Sequence, residues 1–571
     1  MLWFASRTAP SAVAAALGRQ EFSSKRQALA KSASFNIIDS PSIRVLRGRE
    51  SIPVSLRDCL TASPGFAALA PDHPGQGVSF LRQLLLPIVL AAIGPPDSGR
   101  AWAQTFANGD FTEKQKSQIN EYLDTHHDRF DLFHATHPFG QVPGLHTANN
   151  ETKPVGILIA GIAAGASVPL FSAYTDADEL ELTPADALAW MLYTQCWDTA
   201  GIKSGAVGDE KAKNNKSYGN RTGPLGALGV VVPTGRTVFE TLWLNTPIVP
   251  AGLDPRARPP RWLCEPGAVW EERHAHGLLD LLTWQCRRIR LLPADTKHGV
   301  RVNQAIITSG DRMIETPQDE PHTLWRTPPK SEDGPAVPRP YRHTAGKAAW
   351  RGLASLLALD RPSEGKGVLA SFLLSQIHDL RAEEYLPDDY PLRVEIHGVV
   401  YGTQSSVVED TISDAIPMPV AALGTDIALR DALLEVAGQA DRLESAVNVL
   451  DADLRRAAGG DPVPWDKGQR PGEFLVHALD APARTLLESL RGVGGDDERL
   501  ETALTLWERI ARDNAFAIGE QLLTRSDPSV FVGRTVGGRI YRQANAEFSF
   551  RRAVKEILPR AAAVSFDEKG E

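Results

Sequence analysis

Apolar and polar positions alternate along FNIIDSPSIRVLRG (35–48), which predicts strand with a turn. The period then lengthens. SLRDCLTA (55–62) and SFLRQLLLPIVLAAI (79–93) step at helical spacing, the second with a broad apolar face, and TEKQKSQINEYLD (112–124) predicts a polar helix. RFDLFHATHPFGQVPG is aromatic and broken by Pro138, Gly140 and Pro143. Helical patterns return at 155–166 and 183–197, and later near 345–358 and 367–383. Strand-like segments fall at 228–232, 283–292, 302–308 and 393–401. Long Pro-rich, charged connectors separate these segments. The clearest, RTPPKSEDGPAVPRPY (326–341), has the character of a mobile or binding element.

After Pro419 the pattern becomes uniformly helical, near 425–458, 471–492, 497–524 and 538–558. Val436, Ala440, Leu443, Val447, Leu450 and Leu454 step by four and three, which is a bundle seam. GGDPVPWDKGQRPG and GVGGDD break the helices. The expected fold class is therefore α+β. A large mixed N-terminal domain (35–419) precedes an antiparallel four-helix bundle (420–571). Residues 1–34, rich in Ala, Ser and basic residues with Glu21 their one acid, read as an extension outside the fold; the composition also matches an organellar transit peptide.

Composition narrows the classes. A chain of 571 residues exceeds one compact core. Its formal net charge of −9 confines any nucleic-acid role to local basic patches. Cys59, Cys196, Cys264 and Cys286 form no CxxC pair, so no zinc knuckle is read, and so few cysteines suit a reducing compartment. The most membrane-like run, VGILIAGIAAGASVPLF (155–171), is too short for a bilayer and carries three glycines and a proline. It reads as a buried helix ending near Ala166.

The richest candidate chemistry lies in GIKSGAVGDEKAKNNKSYGNRTGPLGALG (201–229), with seven glycines, four lysines and Arg221. No GxxxxGK followed by Ser or Thr and no GxGxxG occurs there, which argues against a nucleotide pocket. His126, His127, Asp128, His134 and His137 offer metal-ligand types, and His126–His127–Asp128 is the core of a metal-dependent phosphohydrolase reading. Adjacent histidines, however, leave a helix on different sides. No GxSxG elbow is present. Nucleic-acid contact remains: glycine backbone can approach a groove closely, and Lys203, Lys211, Lys213, Lys216 and Arg221 can meet phosphates. A second basic stretch carries Arg287, Arg288, Arg290 and Lys297. The bland alternative for both stretches is a solvated surface.

Taken in order, FHATHPFGQVPG, the glycine loop running into VVVPTGRTVFETLWLN, DLLTWQCRRIRL and YGTQSSVVED resemble the large subunit of the type I-E CRISPR surveillance complex, Cascade, from about Phe35 onward. The resemblance implies a non-enzymatic, cytoplasmic protein of bacterial or archaeal source, with no catalytic residues and no cofactor. Its implied partners are CRISPR RNA, target duplex DNA, the backbone and small Cascade subunits, and a recruited helicase-nuclease. The protein would check the motif flanking the target (PAM) and start strand opening, while pairing with the guide reads the rest. Carried onto this sequence, the resemblance implies a minor-groove loop beginning at Gly201, with Lys203 and Gly219. It implies a glutamine wedge at Gln404 beside Thr403, a minor-groove lysine at Lys297, and an RNA or DNA contact at Phe171 and Ser172. A purely structural scaffold subunit is the third reading.

Overall fold

The computed structural model describes residues 33–162, 180–249, 258–265, 267–327, 337–358, 367–424, 426–463 and 470–562. Phe171, Ser172, most of the extension 1–34 and the middle of the connector 326–341 lie outside the described residues. The architecture is α+β. Contacts divide the chain into two compact units. The first comprises Met1–Leu228, Thr237–Glu320 and His397–Ile412; the second comprises Gly229–Arg236, Pro321–Ile396 and Ser413–Glu571.

The first unit opens on an antiparallel sheet in which Ile43–Arg47 lies between Glu50–Val54 and Ala68–Leu69. Its short helices start where capping chemistry invites them. Ser55 caps Leu56–Thr61, and Thr112 with Gln115 closes a capping box on Glu113–Thr125. Residues 76–92 are continuously helical, with one widened turn at Leu81–Leu85 ahead of Pro87, whose missing N–H disturbs the ladder. Helix α1, Pro184–Trp197, starts from a Thr183 cap and is buried nearly all round.

A mixed sheet carries the loop region. Its strands β1 (Lys203–Ser204) and β2 (Lys216–Ser217) are short, while β3 (Arg287–Thr296) and β4 (Gly299–Ser309) form a long antiparallel hairpin. β4 also pairs with Lys153–Pro154, and in parallel with β1 through Thr308 and Ser204. Over its described part, residues 155–162, the helix expected at 155–166 is not formed. Val155–Leu158 is a single tight turn after Pro154, and the two glycines at 156 and 161 deny it helical support. Trp102 and Trp243 are fully buried, each indole N–H donating to the other's carbonyl at 3.0 and 2.9 Å.

In the second unit, Val230–Thr234 joins a sheet with β5 (Arg393–Tyr401), which neighbours β6 (Val408–Pro417). The tip of this β5–β6 hairpin, His397–Ile412, belongs to the first unit. Four long helices follow: α2 (Ile427–Ala458), α3 (Pro471–Ser489), α4 (Asp497–Arg525) and α5 (Gln543–Ile557). The last three each pack on α2. Every residue of the seam Val436 to Leu454 is buried. α2 ends at Gly459, whose φ of 88° is the left-handed conformation that stops a helix. Glu508 is fully buried between α4 and its neighbours. It is satisfied by Gln439 Nε2 at 2.8 Å and by the backbone N–H groups of Arg560 and Ala561 at 2.6 and 3.1 Å.

Candidate nucleic-acid interface

α1 runs directly into the glycine loop, and a buried ionic cluster closes the loop's neck. Asp198 accepts from Lys203 Nζ at 2.8 Å and from Arg287 Nε. Arg287 Nη2 also donates to the carbonyls of Thr199 (2.5 Å) and Arg221 (2.9 Å), so one guanidinium holds both ends of the loop. Asn220 Nδ2 adds bonds to the carbonyls of Gly201 (3.0 Å) and Ser217 (3.1 Å). Burial raises the Asp198 carboxyl, but Lys203 and Arg287 more than offset this and hold it below the usual carboxylate range. Burial, helped by Arg287, pushes Lys203 down against the pull of Asp198.

Beyond the neck, β1 and β2 are joined by a lobe that ends in a tight turn. Lys213 and Lys216 exchange backbone hydrogen bonds at 2.9 and 3.0 Å, and Asn214 and Asn215 between them have φ of 50° and 58°. That is the two-residue turn matching the twist of a β-hairpin, and asparagine tolerates it. The lobe's flank is held by Trp270. Arg312 lies 3.4 Å and Lys211 4.2 Å from the centre of its ring, and its N–H donates to Asp209.

The glycines now separate into two kinds. A Cβ at Gly223 would stand 2.3–2.5 Å from the α1 backbone at Cys196 and Trp197, and one at Gly226 would overlap the Tyr401 hydroxyl. One at Gly205 would sit 2.8 Å from Ala212, one at Gly229 2.0 Å from a carbonyl, and Gly208 and Gly219 take positive φ. The fold therefore demands six of the seven. At Gly201 a Cβ would meet only Thr199 Oγ1 at 3.4 Å and the Ser406 carbonyl at 3.8 Å, with no positive φ. Packing does not require that glycine.

The β5–β6 tip stands beside Gly201. Gln404 and Ser405 both have left-handed backbones, with φ of 55° and 52°, which costs a non-glycine residue about 1–2 kcal/mol each. The tip is held by Gly402 N to Val407 O (3.0 Å) and Ser405 N to Gly402 O (2.9 Å). Ala200 N donates to Ser405 O at 2.7 Å, tying the tip to the loop entry, and Tyr401 Oη donates to Trp197 O at 2.7 Å. Gly201, Ile202, Asn214, Lys216, Gln404 and Ser406 line one open cleft of about 750 Å³. Its lining combines an apolar wall of Ile157, Leu158, Ile159 and Val407 with the amides, hydroxyls, exposed backbone and lysine of the loop and tip, and those polar groups are of the kind that meet grooves and phosphates.

The sequence model of the family described as CRISPR-associated protein Cse1 matches residues 36–518. The chain belongs to the Cse1 family. It is 29% identical to the CasA/Cse1 protein of Thermus thermophilus over 274 residues, which is 47% of this chain and 50% of that protein, so the chain spans half the length of that curated relative. Among solved structures, Cse1 of Thermobifida fusca is similar over 93% of this chain and 99% of its own, at 29% identity and a TM-score of 0.79. Cse1 of Acidimicrobium ferrooxidans is similar over 92% and 99%, at 25% identity and a TM-score of 0.76.

The sequence motifs had pointed to this family. Within its fold, Gly201, Lys203 and Gln404 come together at the cleft, and Thr403 is exposed at the tip beside Gln404. Gly219 is exposed on the far limb of the loop, and Lys297 lies exposed in the β3–β4 turn; neither lines the cleft. Two readings need correction. Lys203 does not offer its charge outward: the ammonium is buried on Asp198. Arg287 and Arg288 are no surface patch either, because both faces of β3 are covered there and the guanidiniums pair with Asp198 and Asp311. His126 packs on Tyr122, whereas His127 bonds Asp39 at 2.8 Å, and Asp128 is exposed. Among the described residues no group of three or more His, Cys, Asp or Glu side chains is placed to hold a metal ion. Sequence reasoning missed Ile202, Asn214, Asn215 and the Arg287 clamp. The Asn–Asn pair was the one local signal for them.

Proposed function

We propose that this Cse1-family chain is the non-catalytic large subunit of a CRISPR RNA-guided surveillance complex. It engages the flanking motif of duplex DNA through the minor groove and promotes strand opening. One observation carries the reading. Gly201 and Gln404, far apart in sequence, line the same cleft and are joined by the Ala200–Ser405 hydrogen bond. The minor groove is narrow and its pattern degenerate, so it suits a glycine-backed loop. A side chain on a strained, rigid tip can enter the first base step, where unstacking costs a few kcal/mol. Lys216 on the cleft and Lys213 beside it, both exposed, supply phosphate contacts that offset this cost.

The reading extends to CRISPR RNA, backbone and small subunits, a helicase-nuclease recruited after target binding, and a cytoplasmic setting. We read residues 35–419 as the DNA-engaging part and 420–571 as an antiparallel four-helix bundle, which the buried seam of α2 supports.

Two measurements on the full chain test it. Co-purification should recover CRISPR RNA and backbone subunits. In that complex, Gln404→Ala should slow opening of the first base step, read by 2-aminopurine fluorescence, several-fold more than it weakens duplex binding. Equal losses would remove the wedge, and absence of RNA from the purified assembly would remove the reading.

A further inference from the structure

Of the loop side chains that line the cleft, Asn214, Asn215 and Lys216 are polar, and Ile202 is the large apolar one. Side chains alternate along extended backbone. Lys203 points inward to Asp198 and is 10% exposed, so Ile202 before it points the other way. Ile202 is 59% exposed and lines the cleft beside Gly201 and Gln404. Its β-branched side chain is stiff at χ1, and the backbone on both sides of it is tied down by Asn220 on the Gly201 carbonyl and by the strand pairing of Lys203 with Ser217. A stiff, exposed, wholly apolar group beside a glycine that folding does not need can cover a base edge while offering it no hydrogen-bond partner.

We propose that Ile202 is a specificity-determining residue of the loop, disfavouring a guanine 2-amino group at the base pair it covers. The proposal rests on the duplex-engaging role set out above. In the minor groove, A·T and T·A pairs expose only acceptors at the positions where G·C adds the N2 donor. Ile202 has no acceptor. A 2-amino group pressed against it loses water and gains no partner, which weakens binding by about tenfold. A·T, T·A and inosine·C pairs lack that group and escape the penalty.

The experiment uses the full-length protein and short duplexes in which each flanking position is in turn A·T, G·C or inosine·C. For the wild type, one position should bind G·C about tenfold more weakly than A·T, with inosine·C restoring affinity. Ile202→Ser, which supplies an acceptor, should bring the A·T to G·C ratio at that position to within about twofold of unity. Ile202→Val, which remains apolar and β-branched, should keep the ratio. A wild-type preference that survives Ile202→Ser unchanged would overturn the inference while leaving the duplex-engaging role intact. A wild type indifferent to the flank at every position would overturn both. Because Ile202 is exposed, the serine variant's unfolding midpoint should match the wild type, which keeps the comparison interpretable.

Discussion

Gly201 and Gly223 sit in one loop, yet alanine should act oppositely at the two positions. At Gly223 the added Cβ would fall within 2.5 Å of main-chain atoms of α1, which cannot move without unseating the helix end. Overpacking of this kind costs about 1–3 kcal/mol, so Gly223→Ala should lower the thermal midpoint by several degrees. At Gly201 the nearest atom is a threonine hydroxyl at ordinary contact distance, and the backbone suits an L-residue. Gly201→Ala should therefore leave the midpoint unchanged or raise it slightly, since alanine restricts the unfolded chain by about 0.4–1 kcal/mol. A destabilising Gly201→Ala would mean that the glycine serves packing after all. Under the proposed function, a bulkier Gly201→Val should fold and yet blunt discrimination among flanking sequences, because its volume occupies the approach to the groove.

The neck joins α1, β1 and β3 through three charges, and its weak point is the single acid. Asp198→Asn keeps the shape but leaves Lys203 and Arg287 buried beside each other without a counter-charge, which typically costs about 3–5 kcal/mol. Thermal unfolding should show this loss, and the double variant Asp198→Asn/Lys203→Met should recover part of it. A fully additive double variant would disprove the coupling. The pH dependence follows from the sign of the shift. The Asp198 carboxyl is held below its unfolded value, so its contribution is complete above about pH 4 and fades as pH falls through the depressed folded value. Asp198→Asn should flatten that acid limb.

This element also shows where reading from sequence stops. The helices expected at 55–62, 112–124 and 183–197, the α2 seam and strand β5 were legible because their causes are local, the first three starting at the Ser55, Thr112 and Thr183 caps. Arg287 was not, because its partner Asp198 lies 89 residues away and alternation suggests an exposed arginine. The described part of the helix expected at 155–166 differs for the opposite reason: a glycine-interrupted run has apolar content without helical support. Gly201 and Gln404 were legible through family resemblance alone, whereas the outward face of Ile202 needed the buried position of Lys203.

On the scale of the whole molecule, 61 basic side chains face 70 acidic ones, so the chain as a body repels DNA. Under the proposed function, duplex engagement must therefore come from a few local cations. At physiological salt the Debye length is about 8 Å, so the cleft's lysines act largely independently of distant surface acids. Lys216 lines the cleft and Lys213 stands across the tight turn from it; both are exposed and have no ion-pair partner among the described residues. The affinity of the full chain for duplex should fall with salt, with a logarithmic slope of about 0.9 per phosphate contact. Lys216→Ala should reduce that slope by about one contact and weaken all duplexes alike, leaving the ratio between flanks unchanged. Ile202→Ser should do the reverse, changing the ratio at a fixed slope. A scaffold that merely holds other subunits would show no salt-dependent duplex affinity for either substitution to alter. Measured together, the two variants separate attraction to the backbone from reading of the groove.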